Sequence, residues 1–184
     1  HAGWLAAASI LARKYEGDNP VLIYLPEVAF DQEEFIQKVE TALKDTPNLI
    51  VCISEGIRDK NGTFICEYSS EVGTDTFGHK MLTGSGVDLD ESENAGIYAV
   101  LTALSGETGK MINFIRNKSV PYELTYGTAD VNLICNQEKT VPLNWITNDG
   151  SDISSEFIDY VRPLTQGYVE LPTKNGIPLF AYRK

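Results

Sequence analysis

Two hydrophobic periods alternate along this chain. Ala and Leu dominate from Ala2 to Tyr15, and Trp4, Ile10 and Leu11 supply one apolar side, which predicts a helix. Gly17 to Pro20 breaks it. Val21 to Leu25 (VLIYL) is a continuous apolar run ended by Pro26, as expected of a strand covered on both faces. Asp31 is a good N-cap with Glu34 at capping-box spacing, and Phe35, Ile36, Val39 and Leu43 follow at helical intervals. Leu49 to Ile53 (LIVCI) predicts a second buried strand. Helix, strand, helix and strand joined by short links argue for a parallel sheet with right-handed crossovers.

The rest of the chain is more varied. Asn61-Gly62 sits between polar and apolar residues of the segment Arg58 to Glu67 and predicts a small hairpin, whereas Ser69 to Phe77 reads as a polar loop. Thr83 to Gly86 (TGSG) has a flexible composition. Asp88 to Asn94 is strongly acidic and suits the first turn of a helix, where the macrodipole favours anions. Ile97, Val100, Leu101 and Leu104 continue that helix to Gly106 or Gly109. Lys110 to Arg116 predicts a strand, Tyr122 to Ile134 an edge strand or irregular pairing, and Ser154 to Tyr160 a late helix. The tail, with Pro172, Gly176 and Pro178, reads as an extended strand or surface arm. The expected fold is α/β, a single domain over residues 1–184 with three-layer, Rossmann-like packing and a short, mainly parallel sheet flanked by helices.

Composition narrows the function classes. The 184 residues are 42% hydrophobic and 22% charged, ordinary for a soluble globular protein. No apolar run approaches the ~20 residues of a membrane span, and no signal-peptide pattern is present. Lys and Arg number 15 against 26 Asp and Glu, a formal net charge of −11 that argues against nucleic-acid binding through phosphate contacts. A sugar phosphate needs only a few local cations or a helix N-terminus, so it stays open. Cys52, Cys66 and Cys135 are scattered and read as reduced thiols of a cytoplasmic protein. His1 and His79 are the only histidines and make no zinc set. Gly106 to Lys110 (GETGK) has two residues between its Gly and its Gly-Lys where a phosphate-binding Walker loop has four, so it reads as a turn. Asp88, Asp90, Glu91 and Glu93 lack the spacing of a calcium loop. His79-Lys80 reads as a solvated helix surface, with an acid–base or phosphate pair as the alternative.

Several segments, taken in order, resemble one family. HAGWLAAAS (1–9), YLPEV (24–28), ISEG (53–56), FGHKMLTG (77–84), LSGETGKM (104–111) and the TQG and NGIPLFAY segments of the tail resemble phosphofructokinases, in particular the short pyrophosphate-dependent ones. The resemblance covers most of the chain. It implies transfer of a phosphoryl group to the 1-hydroxyl of fructose 6-phosphate from pyrophosphate, or from ATP in sister enzymes, with Mg2+ as the parent enzyme's metal. It also implies a C-terminal portion, for the family keeps its donor site, metal-binding acids and catalytic aspartate in an N-terminal half. On this reading no catalytic or metal-binding residue is expected here, and the chain alone is expected to be inactive. The expected partners are fructose 6-phosphate, bound weakly if at all, the missing N-terminal half, and further copies in a homo-oligomeric parent.

The resemblance also exposes a departure. After FGHKML the family continues with a helix, a strand and an Arg-containing substrate loop, whereas here Gly84-Ser85-Gly86 runs directly into Val87. Residues 1–83 and 87–184 therefore resemble two non-contiguous family segments, with 84–86 a possible bridge. Glu55 is the residue that carries over as a substrate contact: it follows the strand end in ISEG, where the family's Glu hydrogen-bonds sugar hydroxyls. Ser54 and Gly56 are expected to shape its turn, Glu27 to be structural, and Gly3 and Trp4 to serve close packing. A non-catalytic sugar-phosphate-binding or assembly module is the rival reading.

Overall fold

The computed structural model describes residues 3–68, 84–170 and 172–179. His1, the loop expected over 69–77, His79 and Lys80 lie outside the described residues. In chain order the described residues form α1 (Trp4–Ala8), β1 (Leu22–Tyr24), α2 (Gln32–Asp45), β2 (Val51–Ile53), α3 (Gly86–Leu104), β3 (Lys110–Ser119), β4 (Tyr122–Asp130), α4 (Val131–Ile134), β5 (Ile146–Thr147), β6 (Asp152–Ile153), α5 (Ser155–Val161), β7 (Thr173–Lys174) and β8 (Ile177–Pro178), with short 3-10 turns between some of them. Helices and strands intermix as the α/β reading requires. β1 and β2 pair in parallel, and the other strands pair as antiparallel hairpins. Where the sequence reading took one domain, backbone proximity divides the chain into two compact units, residues 1–77 with 134–162 and residues 78–133 with 163–184.

The first unit is built around β1. Leu22, Ile23 and Tyr24 pair with Val51, Cys52 and Ile53 of β2, and on the other edge the Ile23 N–H donates to Ser151 O at 2.9 Å. Because strand side chains alternate, β1 feeds two separate apolar clusters. Ile23 and Leu25 join Ala7, Ile10, Val141, Ile153 and Phe157 on one face. Leu22 and Tyr24 join Phe30 and Ile57 on the other. A strand packed on both faces is what the run VLIYL predicts, and β1 is buried throughout. β2 differs from expectation: Ile53 is 45% exposed, because β1 is its only strand neighbour among the described residues.

The first helix is shorter than its composition suggests. After Ala8 the chain tightens into a 3-10 turn over Ser9–Ala12, and Arg13 is extended. The Arg13 side chain explains the stop: it donates to Pro20 O at 2.6 Å, Val21 O at 3.3 Å and the Asp152 carboxylate at 2.8 Å, tying this corner to β1 and β6. Trp4 anchors the other end, with ring centroids 6.0 Å from Phe157, 5.7 Å from Tyr160 and 6.3 Å from Trp145. α2 begins as its sequence predicts, the Asp31 carboxylate accepting from the Glu33 and Glu34 N–H groups.

The second unit is a helix on a hairpin. β3 and β4 run antiparallel from Lys110↔Asp130 to Ser119↔Tyr122, with one irregularity between Arg116 and Lys118. The Tyr98 ring of α3 stacks on Tyr126 at 4.8 Å, and Glu91 accepts from the Tyr122 hydroxyl. Ser85 caps α3 by accepting from the Asp88 N–H at 3.1 Å, and its own hydroxyl donates to Leu164 O. A Cβ on Gly86 would lie 3.1 Å from Gly167 Cα, and the Gly86 N–H donates to Gly167 O at 2.9 Å, so glycine permits a close backbone crossing at the helix start.

Candidate functional site

The carboxyl ends of the two parallel strands meet above β2. The Ser54 N–H donates to Tyr24 O at 3.0 Å and extends the ladder one residue past β2. The Ile57 N–H then donates to Ser54 O at 3.3 Å and closes a turn with Glu55 and Gly56 at its corner. Glu55 is exposed there while Gly56 is buried, so the turn presents the carboxylate outward from a fixed base. Ser54 and Gly56 thus shape the turn in the way their sequence suggests.

The chain after this turn folds back beside it. The Phe30 N–H donates to Arg58 O at 2.7 Å and the Ile65 N–H to Ile57 O at 3.2 Å. The Asp59 carboxylate holds the Asn61-Gly62 turn, accepting from the Asn61 N–H at 2.9 Å, the Thr63 N–H at 2.8 Å and the Tyr68 hydroxyl at 2.7 Å. These bonds, the one from Tyr68 foremost, hold Asp59 below the usual carboxylate range, and the same bond raises Tyr68.

A cavity of 440 Å³ opens between this loop, the turn after β2 and the first turns of α2. Phe30, Phe35, Ile57 and Ile65 form its apolar wall, and Ser54, Glu55 and Tyr68 supply polar groups. None of its described lining residues is Lys, Arg or His. The neighbouring N-terminus of α2 is closed by the Asp31 carboxylate and flanked by Glu33 and Glu34. The arrangement suits a hydroxyl-rich ligand with an apolar face: the Glu55 carboxylate can accept from two hydroxyls, while none of the described lining residues carries a cation for a phosphate.

Glu27, at the end of β1, does different work. Its Oε1 accepts from the Gly3 N–H at 3.0 Å and the Val141 N–H at 2.9 Å, tying the start of α1 to the segment before β5. A Cβ on Gly3 would sit 2.7 Å from Glu27 Oε2 and 2.9 Å from Leu25 Cβ, so the close packing expected of Gly3 is present. Gly106 and Gly109 take positive φ in the link between α3 and β3, a helix-to-strand turn. Among the described residues no three His, Cys, Asp or Glu side chains gather as a metal set. The sequence reading missed Asp59 and Tyr68. The available signal was the Asp-x-Asn-Gly-Thr run at 59–63, where an Asp caps its own turn.

Comparisons with known proteins agree on one group. No protein-family model matches the chain. The pyrophosphate–fructose 6-phosphate 1-phosphotransferase of Halomonas elongata is 32% identical over an alignment of 214 residues that takes in 98% of this chain and 50% of the relative. The crystal structure of a pyrophosphate-dependent phosphofructokinase from Nitrosospira multiformis matches with a TM-score of 0.82 and 31% identity, over 97% of this chain and 49% of that one. The corresponding structure from Marinobacter aquaeolei gives a TM-score of 0.79 at 29% identity, again over 97% and 49%. The chain therefore spans about half the length of the curated relatives it matches. The Halomonas alignment is longer than the 184 residues of the whole chain, so that relative carries residues with no counterpart here.

Proposed function

From the premise that this chain belongs to the phosphofructokinase family and corresponds to the C-terminal half of its pyrophosphate-dependent members, we propose that it supplies the sugar-binding side of phosphoryl transfer from pyrophosphate to fructose 6-phosphate. Glu55 carries the proposal. It stands at the carboxyl end of a parallel strand, where open α/β sheets bind ligands, at the mouth of a cavity with an apolar wall. Its carboxylate accepts from neighbouring sugar hydroxyls, the ring face lies against Phe30 and Phe35, and the phosphate projects away from the described lining residues, which carry no cation.

The donor site, the metal-binding acids and the catalytic carboxylate belong to the other half of the parent, and the family's Arg-containing substrate loop falls in the segment that this chain lacks after FGHKML. Mg2+ serves the parent's reaction, and with no three-membered ligand cluster among the described residues we assign it no ligand here. Cys52, Cys66 and Cys135 are free, in keeping with a cytoplasmic setting; no helix among the described residues is long and apolar enough to cross a membrane.

Saturation-transfer NMR with fructose 6-phosphate tests the site. The sugar protons of fructose 6-phosphate saturate with the wild-type chain, and Glu55→Gln abolishes the effect while shifting stability by no more than about 0.5 kcal/mol, as for an exposed side chain. Equal saturation in both proteins overturns the role of Glu55. With pyrophosphate and Mg2+ added, the chain alone forms no fructose 1,6-bisphosphate; turnover that vanishes in Glu55→Gln would overturn the division of labour between halves.

A further inference from the structure

The loop that follows Glu55 brings a second polar group to the cavity. Tyr68 lines it together with Ser54 and Glu55, and the Tyr68 hydroxyl donates to Asp59 Oδ2 at 2.7 Å. Asp59 is itself locked in place. Its Oδ1 accepts from the Asn61 N–H at 2.9 Å and the Thr63 N–H at 2.8 Å, and its Oδ2 also accepts from the Asn61 side-chain amide at 3.3 Å. The Asp59 N–H donates to Thr63 O and the Gly62 N–H to Asp59 O, both at 3.0 Å, so the backbone around the carboxylate is held as well. The bond from Tyr68 foremost, then those from the backbone, keeps Asp59 below the usual carboxylate range; at neutral pH it is ionised and its oxygens only accept.

A phenol hydroxyl carries one proton and can also accept. With that proton committed to Asp59, Tyr68 offers a ligand its lone pairs alone. The Glu55 carboxylate presents acceptor oxygens to the same cavity. Two acceptors lining one cavity select a ligand with hydroxyl protons to give, while a carbonyl or phosphate oxygen finds no donor at either.

We propose that Tyr68 is a second sugar contact, accepting from one hydroxyl of fructose 6-phosphate, and that Asp59 is the positioning residue that fixes the direction of this bond by holding the Tyr68 proton. The proposal rests on the reading of the cavity beside Glu55 as the sugar site. A merely structural Asp59 would hold the loop and nothing more. The two roles separate in Asp59→Asn. There the side-chain oxygen still accepts from the Asn61 and Thr63 N–H groups, but the new amide donates to Tyr68 and turns its proton towards the ligand.

The test titrates the full chain with fructose 6-phosphate and with its 1-, 3- and 4-deoxyfluoro analogues, read by saturation-transfer NMR. Fluorine can accept a hydrogen bond but cannot donate one. In the wild type, the analogue fluorinated at the position facing Tyr68 binds roughly fivefold more weakly than the parent sugar, the net contribution of one hydrogen bond. Tyr68→Phe removes that one penalty and leaves the others. Asp59→Asn removes the same penalty, because Tyr68 now donates to the fluorine. The Ile57 and Ile65 methyl signals hold their positions in both variants and show that the apolar wall is intact. A Tyr68→Phe protein with the wild-type pattern of penalties overturns the contact. An Asp59→Asn protein that weakens all four ligands by one factor, or keeps the wild-type pattern, overturns the positioning role. Glu55→Gln separates this proposal from the reading beneath it: it removes a penalty at a different position if Glu55 binds the sugar. If Glu55→Gln changes nothing while Tyr68→Phe does, the role of Glu55 falls and that of Tyr68 stands; a wild-type chain that binds none of the four overturns both.

Discussion

Replacing Glu27 by Ala tests whether the glutamate at the end of β1 is a structural clamp. Its Oε1 serves two backbone donors far apart in sequence, the Gly3 N–H at 3.0 Å and the Val141 N–H at 2.9 Å. Hydrogen bonds to a carboxylate contribute roughly 1.5–3 kcal/mol each, so loss of both sums to about 3–6 kcal/mol. Glu27 is only half-buried and water can reach part of the gap, which brings the expected value to about 3 kcal/mol. For a chain of this size that lowers Tm by ~6–12 °C. Glu27→Gln keeps an acceptor oxygen without the charge and should cost about 1 kcal/mol. Thermal unfolding followed by tryptophan emission is the assay, since Trp4 and Trp145 both sit in the core that Glu27 ties together. The order wild type, Gln, Ala in falling Tm is the signature of the clamp. A Glu27→Ala protein melting within 2 °C of wild type would refute the reasoning, and so would the loss of fructose 6-phosphate binding without loss of stability.

Phe157 is fully buried against Trp4 and Trp145, so Phe157→Ala should cost about 3–5 kcal/mol, measurable by urea unfolding. Tyr24 and Tyr122 are both pushed up to about 12, Tyr24 by burial with the Glu34 carboxylate adding, and Tyr122 by burial and its bond to Glu91. Their folded pKa values lie above the ordinary ~10, so their contribution to stability is complete below pH ~10 and is lost as pH rises towards 12. Absorbance at 295 nm should show late-titrating tyrosines, one fewer in Tyr24→Phe, and a single transition near 10 would refute the assignment.

What could be read from the residues alone follows how locally each feature is determined. α2 was legible in its start and its buried side, because its cap and its period are written within its own residues, and the Asp31 side chain makes the bonds that its type and position announce. β1 was legible for a different reason: an unbroken apolar run admits few solutions other than a strand with both faces covered. The end of α1 was not legible. It depends on Arg13 reaching Asp152, a residue 139 positions away that no window around the helix contains. The cavity was half legible. Glu55 was placed by resemblance at a strand end, but Asp59 and Tyr68 enter its surroundings only because the Asn61-Gly62 turn brings the chain back.

Exposure is where pattern and structure part most clearly, and the mismatch is informative. Leu49 to Ile53 reads as a buried strand, yet Ile53 is nearly half exposed; Ile97, Val100, Leu101 and Leu104 continue a helix as their sequence predicts, yet all four side chains are open. Both segments form the elements their periods predict, so local structure is not at fault. Periodicity records which side of an element calls for apolar cover, whereas exposure records which cover the folded residues provide. Where the two agree, as at β1, the chain completes its own core. Where they disagree, the folded residues leave apolar positions without the cover that their pattern calls for. The same logic separates the two strand-end glutamates. Glu27 has both of its hydrogen-bond donors within this chain and is a clamp; Glu55 stands exposed at a cavity mouth, which is where a ligand would find it.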